Sequence, residues 1–389
     1  MFSSRTTWHR LPNPLSRMLA ELRRQGREIC DLTASNPTEE GFAYPSEAIL
    51  EALTSHEVLR YTPDPFGLLQ AREAVEQYYA SKNITRRASE IVLTAGTSEA
   101  YAWLFTLLCD AGENILVPAP SYPLFDYLAR LHDVEVRAYP LRYDGEWHIA
   151  WESVEQALTK QTRAIVLVSP HNPTGMFLKR EELARLNRIA AQHRLALIVD
   201  EVFAEYGCGN DDRRVTSTAA NDVVLTFTLN GISKLCGLPQ MKLGWIVVSG
   251  PPSLREEALH RLEIVADTFL SVNTPAQVAL PRLLQLGERV RAAIQQRLRD
   301  NRVHLEQVFS ASSPLSLLSS EGGWYAVLKI PRTKMEEEWA MKLLSEEGVL
   351  VYPGYFFDFV ENGYLVVSLL TRAESFREGI DAIGAVISP

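Results

Sequence analysis

The stretch AIVLVSPHNPTGMFLKREELARLNRIAAQHRLALIVDE, residues 164–201, decides the fold. It opens on an apolar, largely β-branched run at 164–168 and passes a loop carrying two prolines and a glycine. It continues with helical periodicity over 180–193 and closes on a second apolar run at 196–199. Short apolar runs bounded by turn residues predict strands buried on both faces. Leu183, Leu186, Ile189 and Ala190 share one face of the intervening helix, which therefore covers the sheet. Working outward, the alternation of short strands and longer helices extends from about residue 46 to 272, with further strands expected at 90–93, 114–117, 134–139, 223–227 and 244–248. Seven strands make one large, mostly parallel sheet with helices on both faces, an α/β architecture. Beyond Pro275 the pattern changes to a long helical stretch reaching about Phe309, then strands at 324–330 and 364–369 around a helix near 334–347. The expected organisation is a large α/β domain at 46–275 and a smaller, discontinuous α+β domain made of 1–45 and 276–389.

The 389 residues exceed one small module, and 46% hydrophobic with 22% charged residues is the composition of a globular chain rather than a disordered one. Lys plus Arg number 39 against 48 Asp plus Glu, and the net charge of -9 argues against nucleic acid as a partner. No apolar run approaches the ~18 residues of a membrane span, and no secretory signal precedes the first helix, so no membrane partner is expected. Cys30, Cys109, Cys208 and Cys236 are widely spaced and form no CxxC pair. That pattern indicates neither a metal site nor a disulfide framework and suits the cytoplasm. Residues 1–17 are rich in Ser and Arg without an acid, a superficial likeness to a mitochondrial transit segment. Leu15, Met18, Leu19 and Leu22 instead line one face of an amphipathic helix expected at about 14–25.

In an open parallel sheet, ligands bind beyond the carboxyl ends of the strands. The strand ending at Leu93 leads through Thr94-Ala95-Gly96-Thr97-Ser98 into a helix, which aims free backbone N–H groups at an anion such as a phosphate; a plain N-cap is the simpler use of such a turn. The loop after Val168 fixes the Asn172 amide between two prolines and Gly175. The strand ending at Val199 presents Asp200 and Glu201, and a buried carboxylate there needs a partner: a cationic ring nitrogen, or an ordinary ion pair with an arginine. Lys234 follows Asn230-Gly231-Ile232-Ser233 in a mostly apolar stretch, where desolvation lowers an amine's pKa and makes it nucleophilic, as a Schiff-base lysine requires.

Taken in order, Asn172-Pro173-x-Gly175, Asp200-Glu201-Val202, Ser233-Lys234 and Lys242-Leu243-Gly244 resemble the motifs of the class I/II aminotransferases, pyridoxal-phosphate enzymes of fold type I. Asn172 and Asp200 stand 28 positions apart and Lys242 lies 8 after Lys234, as in that family. Tyr61 with Gly67 and Arg72, Gly96-Thr97, Pro120-Ser121-Tyr122, Gly348-Val349 and Pro353-Gly354 resemble its other motifs, so the likeness spans nearly the whole chain. The resemblance implies that Lys234 carries pyridoxal 5'-phosphate as a Schiff base and moves a proton during turnover, while Asp200 pairs with the ring nitrogen. It further implies that Asn172 donates to the ring hydroxyl and that Tyr122 stacks on the ring. Gly96, Thr97, Ser233 and Lys242 would hold the phosphate, helped by Tyr61 of a second subunit in a homodimer with shared active sites. Asn36 and Arg372 are the candidate substrate contacts. The partners implied are a small-molecule amino donor and a carbonyl acceptor.

Four departures stand out. Phe203 occupies the place of a tyrosine that donates to the ring hydroxyl, Gly231 that of a phosphate-binding serine, and Lys242 that of an arginine, a fork of donors reduced to a point charge. The fourth is Val366, aligned with the arginine that grips a substrate α-carboxylate; the nearest arginine is Arg372. Either another cation does that work or the substrate is not an ordinary α-amino acid. The leading function is amino-group transfer through Lys234. A pyridoxal-phosphate lyase or decarboxylase on the same fold is the enzyme alternative, since the scaffold does not fix which bond breaks. A non-catalytic pyridoxal-phosphate-binding regulator is a weaker one, because the segment before Asp31 is short for a DNA-binding module. A nicotinamide site is weaker still, as no GxGxxG follows a strand.

Overall fold

The computed structural model describes residues 1–8, 12–270, 272–309 and 314–387. The large sheet has eight strands: β1 (Ile91–Thr94), β2 (Asn114–Ala119), β3 (Glu135–Tyr143), β4 (Trp147–Ile149), β5 (Thr162–Val168), β6 (Ala196–Asp200), β7 (Thr226–Gly231) and β8 (Gly244–Ser249). Their order is β1-β8-β7-β6-β5-β2-β3-β4. The run from β7 to β3 is parallel, whereas β8 lies antiparallel between β1 and β7, and β4 returns antiparallel on β3. The α/β architecture read from the sequence is the observed one. Residues of β1 to β8 such as Ile165, Leu197, Ile198 and Phe227 are fully buried, as a sheet covered on both faces demands.

Two details differ from expectation. The sheet gains β4, a three-residue strand closing a hairpin after Asp144-Gly145-Glu146, too short to stand out as a run of its own. The strand expected at 223–227 is displaced to Thr226–Gly231: Val223 is exposed in the preceding turn, and Asn230 and Gly231, which look like turn residues, pair with Trp245 and Gly244. Lys234 therefore follows the strand end by three residues rather than seven.

A second, antiparallel sheet holds β9 (Ser316–Leu317), β10 (Tyr325–Lys329), β11 (Tyr352–Pro353) and β12 (Tyr364–Ser368) in the order β9-β10-β12-β11. The helix Thr274–Val308 leads into it. Near the N-terminus, the helix Pro14–Arg24 begins at Asn13, whose side chain accepts the Ser16 N–H at 2.7 Å. The following segment is stitched to the C-terminal part: Cys30–Asp31 pairs in parallel with Val349–Leu350, and Leu32 O accepts the Ser368 N–H at 2.7 Å. This places residues 33–42 above the carboxyl ends of β6 and β7, where Ser35 O faces Lys234 at 3.4 Å.

Candidate active site

The end of β6 carries the buried acid. Asp200 is 8% exposed; its Oδ1 accepts the Val202 N–H at 3.0 Å and its Oδ2 the Tyr101 hydroxyl at 3.3 Å. Burial pushes its carboxyl up to about 6 against the pull of these two donors, while the neighbouring Glu201 charge adds to the rise and Lys234 opposes it. Glu201 points elsewhere and is satisfied by the Ser217 hydroxyl and by the Thr218 hydroxyl and N–H, at 2.6 to 2.8 Å. Asp200 is thus the acid left facing the space beyond the sheet.

Beyond β5, residues 169–175 fold back so that Gly175 N–H donates to His171 O and His171 N–H to Met176 O, both at 2.7 Å. Gly175 has φ +72°, and a Cβ there would lie 2.0 Å from Ser320 Oγ and 2.3 Å from Gly322 O, so only glycine fits. The loop is further tied to 320–322 through Glu321, which bonds the Lys179 ammonium and accepts the Phe177 N–H at 3.1 Å. Asn172 is held within this frame with its side-chain oxygen buried and unpartnered. The adjacent His171 ring is neutral, pushed down to about 3 by burial, and bonds Thr174 Oγ1 at 2.9 Å.

Gly231 ends β7 and caps the single turn Ile232–Leu235 that carries Ser233 and Lys234. Burial pushes the Lys234 ammonium down to about 8, and the Asp200 charge limits the fall. Its Nζ lies 4.6 Å from the centre of the Trp324 ring and 5.8 Å from that of Phe203, two rings packed edge to face. Tyr206 bonds the Lys234 backbone oxygen at 2.6 Å and packs on the same tryptophan, so the turn is anchored from below.

Beside this turn, three glycines meet. A Cβ on Gly231 would lie 2.9 Å from both Gly244 Cα and Leu243 O, and one on Gly244 would lie 3.1 Å from Gly96 Cα. Gly231 has φ 178°, so space and not backbone freedom selects it. Gly96 caps the helix Thr97–Leu108, and a Cβ built on it would meet nothing within 4 Å, so the helix start borders open space. Lys242, two residues before Gly244, is exposed, with φ +52°.

The sequence-predicted residues do not all converge. Asp200, Phe203 and Lys234 share one space, and Gly96 touches Gly244 beside Gly231. Tyr61 is 73% exposed and Tyr122 49%. Asn36 Oδ1 is used within its own turn, accepting from Thr38 N and Oγ1 at 3.2 and 2.7 Å, but its neighbour Ser35 meets Lys234. Arg372 lies against 39–41, its Nη2 donating to Glu39 O at 2.8 Å and its backbone N–H to Glu40 Oε2 at 3.0 Å. Val366 is fully buried between Val327 and Tyr352 of the neighbouring strands. Sequence reasoning missed Tyr101, Tyr206, Trp324 and Ser35. Tyr101 had a signal, standing four residues after Thr97 on the same helix face; the others are brought in by tertiary packing alone.

The family model for aminotransferase class I and II matches residues 27–383. The chain belongs to that family. Relatives include the glutamate-pyruvate aminotransferase AlaA of Haemophilus influenzae, 26% identical over 96% of this chain and 94% of that protein. Another is the tyrosine aminotransferase of Caenorhabditis elegans, 26% identical over 90% of this chain and 77% of that one. Among solved structures, an Escherichia coli aminotransferase superposes with a TM-score of 0.86 at 25% identity, covering 100% of this chain and 98% of that one. The alanine aminotransferase of Pyrococcus furiosus shares the fold at a TM-score of 0.88 and 22% identity, covering 100% and 99%. The fold is thus fold type I. As an aminotransferase, the chain gives no support to the lyase or decarboxylase alternative. No helix among the described residues is long and apolar enough to cross a membrane.

Proposed function

We propose that this aminotransferase uses pyridoxal 5'-phosphate, held at Lys234, to move an amino group from an amino donor to a keto or aldehyde acceptor. The observation that carries this is the pairing of a buried acid with a desolvated amine. Asp200 and Lys234 face one another across a space in which each perturbs the other's protonation. The residues present fit the cofactor. A pyridinium nitrogen would give Asp200 a cationic partner, a ring hydroxyl would donate to the orphaned Asn172 side-chain oxygen, the reverse of the bond the resemblance implies, and a phosphate would suit the open space beside Gly96 at the Thr97 helix start. Ser233 and Lys242 would also hold the phosphate, Tyr122 would stack on the ring, and Tyr61 would reach in from a second subunit. When bound, the cofactor supplies the electron sink that lets the donor's C–H bond break.

The chain's own groups do the rest. Lys234 Nζ, titrating near 8, gives and takes a proton near neutral pH, as a proton carrier at the reacting carbon must. Asp200 holds a negative charge where a protonated ring nitrogen is needed, and Tyr101 supports that charge. Phe203 offers no hydroxyl to the ring, and Gly231 none to the phosphate. Trp324 and Phe203 shield the amine from water. The same proposal includes a homodimer, the domain division at 46–275, and residence in the cytoplasm, the last in keeping with four free cysteines.

Borohydride reduction of the holoprotein followed by peptide mapping tests the anchor: a pyridoxyl group is expected on Lys234, and one on Lys242 or elsewhere overturns the assignment. Incubation with an amino donor should convert bound cofactor to pyridoxamine phosphate with one equivalent of carbonyl product. Release of carbon dioxide or an eliminated group without that conversion refutes amino transfer.

A further inference from the structure

Glu336 opens the helix Glu336–Lys342 and is 4% exposed. A carboxylate so buried needs donors, and backbone supplies them. Its Oε1 accepts the Tyr355 N–H at 2.6 Å, and its Oε2 accepts the Gly363 and Tyr364 N–H groups at 3.0 and 3.1 Å. Residues 354–364 are thereby fastened near both ends to one side chain. The segment begins with the single turn Gly354–Phe357. A Cβ on Gly354 would lie 3.0 Å from Tyr364 Cβ and 3.2 Å from Glu336 Oε2, so the turn is seated closely on its anchor.

Phe357 ends that turn, is buried, and touches two separate parts of the site. Its backbone oxygen accepts the Ser121 N–H at 2.7 Å, which fixes the residue just before Tyr122. Its ring packs edge to face on Tyr325 of β10 and Tyr352 of β11, with centroids 6.1 and 5.6 Å away. Tyr325 bonds the Ser35 side chain, Tyr352 bonds that of Thr33, and Tyr122 stands near enough to bear on both phenols. Ser35 O in turn faces Lys234 Nζ at 3.4 Å. A run of direct contacts therefore leads from the Tyr122 loop through one phenylalanine to the segment that roofs the amine.

We infer that Phe357 is a positioning residue for Lys234, joining the Tyr122 loop to residues 33–35 so that the two close on the amine as one unit. The inference deepens the amino-transfer reading of Lys234 and rests on it. Phe357 acts through Tyr325 and Ser35, and its contribution to the reaction is the exclusion of water. An amine walled by rings stays easily deprotonated only while its roof is seated. Without the Phe357 ring, a hole would open beside Tyr325 and Tyr352. Their hydroxyls would lose their fixed aim at Ser35 and Thr33, and water would reach Nζ.

The test begins with the cofactor-free protein. Competitive acetylation between pH 6 and 10 gives the Lys234 midpoint in the native chain, in Phe357→Leu, and in Tyr325→Phe, which removes one hydroxyl and keeps the ring. Each variant is expected to raise the midpoint by about 0.5 or more, toward that of an ordinary lysine. Phe357→Leu should also quicken hydrogen exchange at the Ser121 amide about fivefold or more. The double variant should move the midpoint no further than the larger single shift, because both changes act along one path. Phe376→Leu makes a comparable hole at a fully buried phenylalanine of the helix Ala373–Ile387 and should leave the midpoint in place. A midpoint unmoved in Phe357→Leu, shifts that add in the double variant, or an equal shift in Phe376→Leu overturns the inference. Should Phe357→Leu fail to fold, Tyr325→Phe decides alone: a raised midpoint supports the path and an unmoved one overturns it. Borohydride labelling of the holoprotein at a lysine other than Lys234 would instead fail the amino-transfer reading, a result distinct from any the acetylation of the cofactor-free protein can give.

Discussion

Replacing Asp200 by asparagine is expected to make Lys234 of the cofactor-free protein more reactive, not less. Burial pushes this amine down from 10.5 to about 8, and the Asp200 carboxylate is the one charge that resists the fall. At pH 7 the lower value leaves roughly 300-fold more neutral amine than an ordinary lysine carries. Removing the carboxylate takes away that resistance while the apolar walls of Trp324 and Phe203 remain, so the midpoint should drop below 8. Competitive acetylation with acetic anhydride reads the neutral fraction directly, residue by residue, when peptides are quantified by mass spectrometry between pH 6 and 10. Exposed Lys160 serves as the internal reference. Lys234 should acetylate with a midpoint near 8 in the native protein and at lower pH in Asp200→Asn. A native midpoint close to the ordinary lysine value of about 10.4, or one that rises on Asp200→Asn, refutes the electrostatic account of the site.

Between about pH 4 and 6 the native apoprotein keeps a proton on Asp200 that the unfolded chain has released, so this residue's contribution to stability falls by about 3 kcal/mol as pH rises through that window. Urea denaturation across the window should show the fall in the native protein and lose it in Asp200→Asn; parallel slopes count against it. Tyr101→Phe withdraws a donor from Asp200 and should raise the carboxyl further, moving the same window to higher pH; an unmoved window means the 3.3 Å contact carries no weight. Gly231→Ser, which restores a hydroxyl common in the family, should destabilise by about 1–3 kcal/mol because its Cβ meets Gly244 Cα and Leu243 O at 2.9 Å. Gly231→Ala should cost the same, and a more stable serine variant would contradict the packing. Glu336→Gln should loosen residues 354–364, since its carboxylate accepts the N–H groups of Tyr355, Gly363 and Tyr364 at 2.6 to 3.1 Å. Hydrogen exchange at those three amides should quicken by a factor matching about 1–3 kcal/mol, and unchanged protection would show the carboxylate to be dispensable.

What the sequence discloses about this site follows strand periodicity. Asp200 directly follows a short apolar run and Asn172 lies four residues beyond another, so strand periodicity alone places both beyond the carboxyl ends of buried strands. Lys234 was legible for the same reason, although the strand before it ends at Gly231 and not near Phe227. Asn230 and Gly231 carry turn chemistry locally, yet cross-strand pairing with Trp245 and Gly244 overrides it. The Gly231 departure looked like a lost ligand and is also a packing requirement, which only the approach of three backbones reveals. Trp324, Tyr206 and Ser35 were invisible because their meeting with Lys234 depends on how 320–324 and 33–42 dock, and no periodicity encodes docking. Nor does sequence show how Arg372, the arginine nearest to Val366 along the chain, sits in the fold, with its guanidinium donating to Glu39 O and its backbone N–H to Glu40 Oε2.

The short parallel ladder between Cys30–Asp31 and Val349–Leu350 has a consequence for how the protein is made. A ribosome adding 5–20 residues per second leaves Cys30 waiting about 16 to 64 s before Val349 emerges. Before that interval ends every strand of the large sheet has been synthesised, with Asp200 at the end of one and Lys234 just beyond another, while the segment bearing Ser35 still lacks its partner. The reactive amine is therefore roofed last, by the first forty residues and the last forty acting together. A chain stalled or clipped before residue 349 would carry a folded sheet with its lysine open to solvent and to any stray aldehyde.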